Sequence, residues 1–199
     1  GWTRLLPRLD FRALAASGKR WIGHSDFTAF QLAMLAATGR VTYAGPMATY
    51  DFGAETPSDF TIGHALAMLA RGADEASFDT EGPDVDAEGT LWGGNLTMIA
   101  SLVGTPYLPR VDGGLLFVED VSEHPYRVER MLHQLHYAGI LARQRAVLVG
   151  AFTGYELAPQ DNGYDLGAAL AHLRDVCRVP IVTGLPFGHV HDKLTLPVG

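Results

Sequence analysis

Cysteine is nearly missing from this 199-residue sequence, which contains only Cys177. One cysteine excludes an internal disulfide framework and any cysteine-rich zinc or iron–sulfur site. It is also typical of a reducing compartment, so we expect the protein in the cytoplasm. The side chain of Cys177 itself is interpreted as a small buried group in a helix.

Lysine is the next scarce residue, since Lys19 and Lys193 are the only two. The sequence contains 15 Lys and Arg residues and 22 Asp and Glu residues, which gives a formal net charge of −7. A nucleic-acid surface needs basic side chains that replace phosphate counterions. We therefore expect no nucleic-acid partner.

Long apolar runs are absent as well. The longest apolar stretches, such as residues 146–150, are far short of the ~20 residues that a membrane span needs. No signal peptide begins the chain, and we expect no membrane partner. The sequence starts at Gly1 without Met and stops abruptly at Gly199, so we expect it to be a segment of a longer protein.

Apolar residues are plentiful, at 47% of the chain against 19% charged residues, so a hydrophobic core can form. Short apolar strands alternate with helical patterns, which indicates an α/β architecture. Helices are predicted over residues 9–16, 25–38, 58–71, 96–103, 127–138 and 166–176. Strands are predicted over residues 21–23, 114–118, 146–152 and 180–184, with a glycine-rich turn at Gly93-Gly94.

An acidic stretch over residues 73–88, with Gly82-Pro83 in its middle, is the best candidate for a connection between two domains. We therefore divide the chain into a first domain with its linker, residues 1–80, and a second domain, residues 81–199. An exposed edge strand with solvated charges is the alternative interpretation of the acidic stretch.

A serine stands where an apolar strand turns into a helix, in the sequence Gly23-His24-Ser25-Asp26. Such a tight turn can expose the hydroxyl of Ser25 close to the free backbone N–H groups of the first helical turn. The backbone N–H of Asp26 is then positioned to hold a developing oxyanion. The alternative is that Ser25 or Asp26 simply caps the helix.

Two carboxylates, Glu119 and Asp120, end an otherwise apolar strand. The ends of strands in α/β folds are where ligands and catalytic groups collect. A carboxylate in this position can also cap the following segment, and the sequence does not separate the two roles.

A histidine, His189, follows Gly188 in the loop after the strand at 180–184, where its imidazole can accept a proton. A loop histidine can also be merely exposed. His189 and His191 lie two residues apart and could both be metal ligands, but no further ligand spacing accompanies them. We therefore expect no metal and no cofactor.

Six short blocks follow one another along the chain. They are Gly23-His24-Ser25-Asp26-Phe27-Thr28-Ala29, Ala44-Gly45-Pro46-Met47, Glu88-Gly89-Thr90-Leu91-Trp92-Gly93-Gly94-Asn95-Leu96, Leu116-Phe117-Val118-Glu119-Asp120, Pro125-Tyr126-Arg127-Val128-Glu129-Arg130-Met131-Leu132 and Phe187-Gly188-His189. In this order they resemble the LD-carboxypeptidases, and more narrowly the muramoyltetrapeptide carboxypeptidases of Gram-negative bacteria. The resemblance covers essentially the whole chain.

The resemblance implies a serine peptidase with a Ser–Glu–His triad on a two-domain α/β fold. By the matching motifs, Ser25 would be the nucleophile, Glu119 the acid and His189 the base. Residues 1–80 would be the C-terminal part of a Rossmann-like nucleophile domain with a linker, and residues 81–199 the C-terminal domain. Both chain ends are truncated relative to the family, and a homodimer is implied by the resemblance only.

The implied substrate is the murein tetrapeptide, cut between its L-centred diamino acid and the terminal D-alanine during cell-wall recycling. A carboxypeptidase must bind a free carboxylate, for which Arg127 and Arg130 are candidates. Surface ion pairs with neighbouring glutamates are the alternative role of these arginines. Asn95 and Gly94 are predicted to line the cleft, because paired glycines permit close approach of the backbone to a ligand.

Two alternatives stay open. The microcin C self-immunity hydrolases of the same family use the triad on an aminoacyl-nucleotide amide, which requires an aromatic platform for the nucleobase that the sequence does not reveal. The second alternative is a non-catalytic α/β module that binds a peptide or sugar. In that module Ser25, Glu119 and His189 would be capping and surface groups.

Overall fold

A computed structural model describes residues 1–199 and contains two β-sheets with helices packed against them. The helices are α1 (Trp2–Leu5), α2 (Phe11–Ala16), α3 (Thr28–Thr38), α4 (Asp59–Arg71), α5 (Leu96–Leu102), α6 (Pro125–Tyr137) and α7 (Leu166–Val176). The strands are β1 (Ile22–Gly23), β2 (Thr42–Ala44), β3 (Leu91–Asn95), β4 (Leu115–Val121), β5 (Ala146–Thr153), β6 (Ile181–Thr183) and β7 (Leu196–Val198).

The larger sheet has the order β3-β4-β5-β6, and all of its pairs are parallel. Helices α5, α6 and α7 connect successive strands, which confirms the predicted α/β class. Because parallel strands end at one edge of a sheet, the carboxyl ends of β3 and β4 meet, and Asn95 pairs with Glu119 across them.

The smaller sheet has the order β1-β2-β7. Strand β2 pairs parallel with β1 and antiparallel with β7, so the last residues of the chain lie beside residues 42–44. A boundary at residue 80 would therefore leave one strand of the smaller sheet in the second domain, and the division stays a prediction. Within the acidic stretch, Glu81 forms a single antiparallel bridge to Thr183 at the edge of the larger sheet.

Helix α6 illustrates why these segments are helical. Pro125 occupies its first turn, where a missing N–H costs nothing. Val128, Leu132 and Leu135 follow at helical spacing and are all buried. No helix of the chain is both long enough and apolar enough to cross a bilayer. Cys177 is buried as predicted, but it directly follows α7 instead of lying inside a helix.

The prediction of a turn at Gly93-Gly94 is wrong, because both glycines lie inside strand β3. Gly93 has φ +141°, and a Cβ there would lie 1.9 Å from the carbonyl oxygen of Phe117 in β4. Gly94 has φ +134°, and a Cβ there would lie 2.4 Å from the Thr28 hydroxyl oxygen. The glycines thus let the neighbouring strand and the start of α3 approach the backbone of β3.

We expect Gly93→Ala to lower the free energy of unfolding by at least about 2 kcal/mol, because the methyl group meets backbone in a strained conformation. Urea denaturation of the purified protein measures this change. Gly39→Ala is the matched control, since Gly39 also has a positive φ of +67° but nothing within 4 Å of the added carbon. It should cost only about 1 kcal/mol, and equal losses in the two variants would contradict the close approach of β3 to β4.

Candidate active site

Glu119 and His189 form a hydrogen-bonded pair at the carboxyl edge of the larger sheet. Nδ1 of His189 lies 2.9 Å from Oε2 of Glu119, and the Glu119 side chain is fully buried. A carboxylate can only accept, so Nδ1 carries the proton and Nε2 keeps its lone pair. The structure therefore brings together two of the three predicted catalytic residues, with the imidazole oriented to act as a base.

A glycine makes this pairing possible. Gly188 has φ +139°, and a Cβ there would lie 3.0 Å from the carbonyl oxygen of Ala151 and 3.4 Å from Cβ of Glu119. The loop after β6 can thus lie directly on strands β4 and β5. This contact holds His189 over the end of the sheet.

Ser25 lies in the connection between β1 and α3, at the start of the 3-10 turn Ser25–Phe27. Its φ is +61°, a left-handed conformation that is uncommon for a residue with a side chain. Strain of this kind clusters at functional sites, and a strained strand-to-helix turn is the geometry of a nucleophile elbow. The backbone of Asp26 follows in the same turn.

Two contacts connect the turn with the larger sheet. The Thr28 hydroxyl oxygen, at the start of α3, accepts a hydrogen bond of 3.0 Å from the backbone N–H of Asn95. The ring of His24, the residue before Ser25, packs edge-on against the ring of His189 at a centroid distance of 5.0 Å. The segment that carries Ser25 therefore lies beside the Glu119–His189 pair.

His24 is itself a buried ring, with only 3% of its surface exposed. Its Nδ1 lies 2.9 Å from the carbonyl oxygen of Gly45, so Nδ1 donates and the neutral ring carries its proton there. Burial lowers the pKa of His24 below its ordinary value, and the nearby Lys193 ammonium lowers it further. No sequence motif assigns His24 a role of its own.

The second carboxylate of the strand, Asp120, has a structural role. Its oxygens accept hydrogen bonds from Nδ2 of Asn95 at 2.8 Å, from the backbone N–H of Thr97 at 2.9 Å and from the Thr97 hydroxyl at 2.8 Å. The backbone N–H of Val121 donates to it as well, at 2.9 Å. Asp120 therefore fastens the start of α5 to β4, while Glu119 faces His189.

The predicted substrate-binding residues have hydrogen bonds or positions of their own in the structure. The Asn95 amide is occupied by Asp120 and by the N–H of Met98, which it caps at 3.1 Å. Arg127 is exposed on α6 and pairs with Glu123 at 3.3 Å, which matches the alternative role considered for it. Arg130 is exposed on the same helix, and Gly94 faces Thr28. Their contact with a substrate stays a prediction.

A cavity of about 460 Å³ opens beside His189. Its lining includes His24, Tyr50, Asp51, His191 and Lys193. The Lys193 side chain is buried, and its ammonium forms an ion pair with the Asp51 carboxylate. The sequence signal for this pair is weak, because a single lysine and a single aspartate 142 residues apart carry no spacing pattern.

His191 is not positioned to bind a metal together with His189. Its Nδ1 lies 2.9 Å from the Asp192 carboxylate and its Nε2 lies 3.0 Å from the carbonyl oxygen of Thr56. The hydrogen bond to Thr56 and the one to the Asp192 carboxylate raise the pKa of His191. The ring therefore fastens its loop to the segment before α4 and does not point its nitrogens at the Glu119–His189 pair.

We expect stability to fall as His24 becomes protonated. Because its folded-state pKa lies below the ordinary value of 6.5, the neutral ring stabilises the fold above that pH, and this contribution is lost as pH falls through the folded pKa. His24→Asn keeps a donor for Gly45 but cannot titrate. Urea denaturation between pH 5 and about pH 7 should show a smaller pH dependence in the variant, and identical slopes would contradict a buried neutral His24.

Comparison with known proteins gives a consistent result. The model of the LD-carboxypeptidase C-terminal domain matches residues 88–199, and that of the LD-carboxypeptidase N-terminal domain matches residues 1–45. The crystal structure of a muramoyltetrapeptide carboxypeptidase from Oxalobacter formigenes is similar with 52% identity and a TM-score of 0.91, over 100% of this chain and 69% of that chain.

Curated relatives include a probable murein peptide carboxypeptidase of Bacillus subtilis, 31% identical over 100% of this chain and 64% of its own length. The microcin C7 self-immunity protein MccF of Escherichia coli is 27% identical over 98% of this chain and 65% of its length. The chain thus spans just under two thirds of these relatives. Since one family model alone matches more than half of its residues, the chain belongs to the LD-carboxypeptidase family.

Proposed function

We propose that the full-length protein is a serine carboxypeptidase that releases the terminal D-alanine from murein L,D-tetrapeptides in cell-wall recycling. The observation that carries this proposal is the Glu119–His189 pair, 2.9 Å apart, beside the strained turn that holds Ser25. The likeness to the Oxalobacter muramoyltetrapeptide carboxypeptidase supports the substrate.

In the proposed reaction, Nε2 of His189 takes the proton of the Ser25 hydroxyl while the serine oxygen attacks the carbonyl carbon of the scissile amide. The oxyanion that forms is held by the backbone N–H of Asp26. His189 then gives its proton to the departing nitrogen, and D-alanine leaves. Water, deprotonated by the same imidazole, hydrolyses the acyl-serine and frees the shortened peptide.

Glu119 stabilises the imidazolium that forms during both steps. Its side chain is fully buried, and its second oxygen, Oε1, has no hydrogen-bond partner. A carboxylate in such a poorly solvated position interacts strongly with a positive charge nearby, because little water screens the pair. The burial of Glu119 therefore supports its assignment as the acid of the triad.

The proposal also covers the domains, the substrate contacts, the assembly and the location. We assign residues 1–80 to the nucleophile domain with its linker and residues 81–199 to the C-terminal domain, in line with the two matching family models. Carboxylate recognition by Arg127 or Arg130 and cleft lining by Asn95 and Gly94 rest on the family motifs. A homodimer rests on the family resemblance, and a cytoplasmic location rests on the single cysteine.

Hydrolysis of an aminoacyl-nucleotide amide is the second candidate function. Tyr50 supports it, because this side chain lines the cavity beside His189 and is 75% exposed, so a nucleobase could stack on it. Turnover of an aminoacyl sulfamoyl nucleoside, measured beside turnover of a murein tetrapeptide, separates the two activities. A protein that binds the peptide but turns over neither compound would be the non-catalytic module.

We expect Ser25→Ala to abolish release of D-alanine from a murein tetrapeptide in the full-length protein. The variant should keep its fold, as checked by circular dichroism. EDTA should leave the activity of the wild type unchanged, because no metal takes part in the proposed reaction. Ser122→Ala is the matched control, since Ser122 also has a left-handed φ of +60° and should keep its activity. Near-normal turnover by folded Ser25→Ala would remove the serine mechanism.

The two loop histidines should respond very differently to substitution. His189→Ala should lower kcat by roughly 10³–10⁶, as for other triad members. His191→Ala should cost about tenfold or less, because both ring nitrogens are hydrogen-bonded, to Asp192 and to Thr56, and neither faces Glu119. Glu119→Gln should fall between them, since the imidazole remains. Initial rates of D-alanine release measure all three, and an inactive His191→Ala beside an active His189→Ala would reverse the assignment.

A further inference from the structure

Three potential metal ligands converge on the helices, outside the cavity that His189 lines. Glu129 and His133 lie one turn apart on α6, and His172 lies on α7. One ligand atom from each of them lies within 4.8 Å of the other two. No other trio of histidine, cysteine or acidic side chains in the chain approaches so closely.

The packing of α6 against α7 holds the three groups in this arrangement. Leu132 and Leu173, the neighbours of His133 and His172 in sequence, are buried in the hydrophobic core. The cluster therefore lies at the solvent edge of the contact between the two helices. Glu129 and His133 are 24% and 19% exposed, and His172 is exposed, so a cation and a water molecule could reach the site.

The polar groups of the cluster are poorly satisfied without a ligand. Nδ1 of His133 is buried and has no hydrogen-bond partner. Its Nε2 lies 3.9 Å from Oε1 of Glu129, which is too far for a hydrogen bond. Nε2 is therefore the ring nitrogen that a cation beside Glu129 would take, with the ring proton on Nδ1.

A fourth residue orients the carboxylate. The hydroxyl of Tyr164 donates to Oε2 of Glu129 at 2.5 Å, which leaves Oε1 directed towards His133. Ligating carboxylates commonly have such an outer partner that sets their orientation. The cluster thus contains three potential ligands and a tyrosine that orients one of them.

We propose that Glu129, His133 and His172 bind a divalent transition-metal cation, zinc by preference, that joins α6 to α7. Two imidazoles and one carboxylate are a donor set that zinc favours, with water at the fourth position. Zinc bonds of about 2.0–2.2 Å require the ligand atoms to approach to roughly 3.3 Å, which small side-chain rotations supply. The role is structural and separate from hydrolysis, because none of the three ligands lines the cavity beside His189.

Isothermal titration of ZnCl2 into full-length, untagged protein, first stripped with EDTA and dialysed, tests the site. We expect one zinc per chain. Glu129→Gln, His133→Ala and His172→Ala should each weaken binding at least about 100-fold, and Tyr164→Phe should weaken it about 10-fold, as for an outer partner. Circular dichroism checks that each variant is folded.

His64→Ala is the matched control, because His64 is also a helical histidine that contacts a carboxylate, that of Asp74. His64 lies on α4, away from the proposed site. This variant should bind zinc as tightly as the wild type. Zinc should also raise the melting temperature of the wild type and of His64→Ala, and should not raise that of His172→Ala. Wild type without saturable binding, or zinc affinity lost in His64→Ala and kept in His172→Ala, would overturn the proposal.

Discussion

The buried carboxylate of Glu119 is the constraint on which the rest of the site depends. A fully buried carboxylate is costly to the fold unless hydrogen bonds and a nearby positive charge compensate it, and here one of its oxygens accepts a single bond from His189. That bond requires the loop after β6 to lie on the sheet, which Gly188 allows. It also orients the imidazole, so one contact serves both the fold and the proposed chemistry.

Two adjacent carboxylates at the carboxyl edge of the larger sheet have different roles. Glu119 and Asp120 are adjacent, at a point where the register between β4 and β5 shifts, and their side chains contact different partners. Asp120 fastens the start of α5 through Asn95 and Thr97, and Glu119 faces His189. Asn95, whose contact with substrate stays a prediction, also belongs to the hydrogen-bond network that keeps β3, α5 and α3 together.

Sequence patterns were most reliable for long segments with a clear pattern of apolar residues. The helical periodicity of α6 and the apolar runs of β4 and β5 placed these elements to within a few residues. Strands β2 and β7, of three residues each, were missed, whereas the similarly short β1 and β6 were predicted. Strand β3 was read as a turn, because glycines there serve close contact with β4 and Thr28 that only the folded chain contains.

The sequence by itself determined the family, the α/β class and the identity of the three candidate catalytic residues, because these depend on local motifs and their order. Tertiary structure decided which groups meet. The contact of His24 with His189, the Lys193–Asp51 pair and the cluster of Glu129 and His133 with His172 all join segments that are distant in sequence. Only packing brings such residues together, since neither spacing nor propensity records contacts between separate elements.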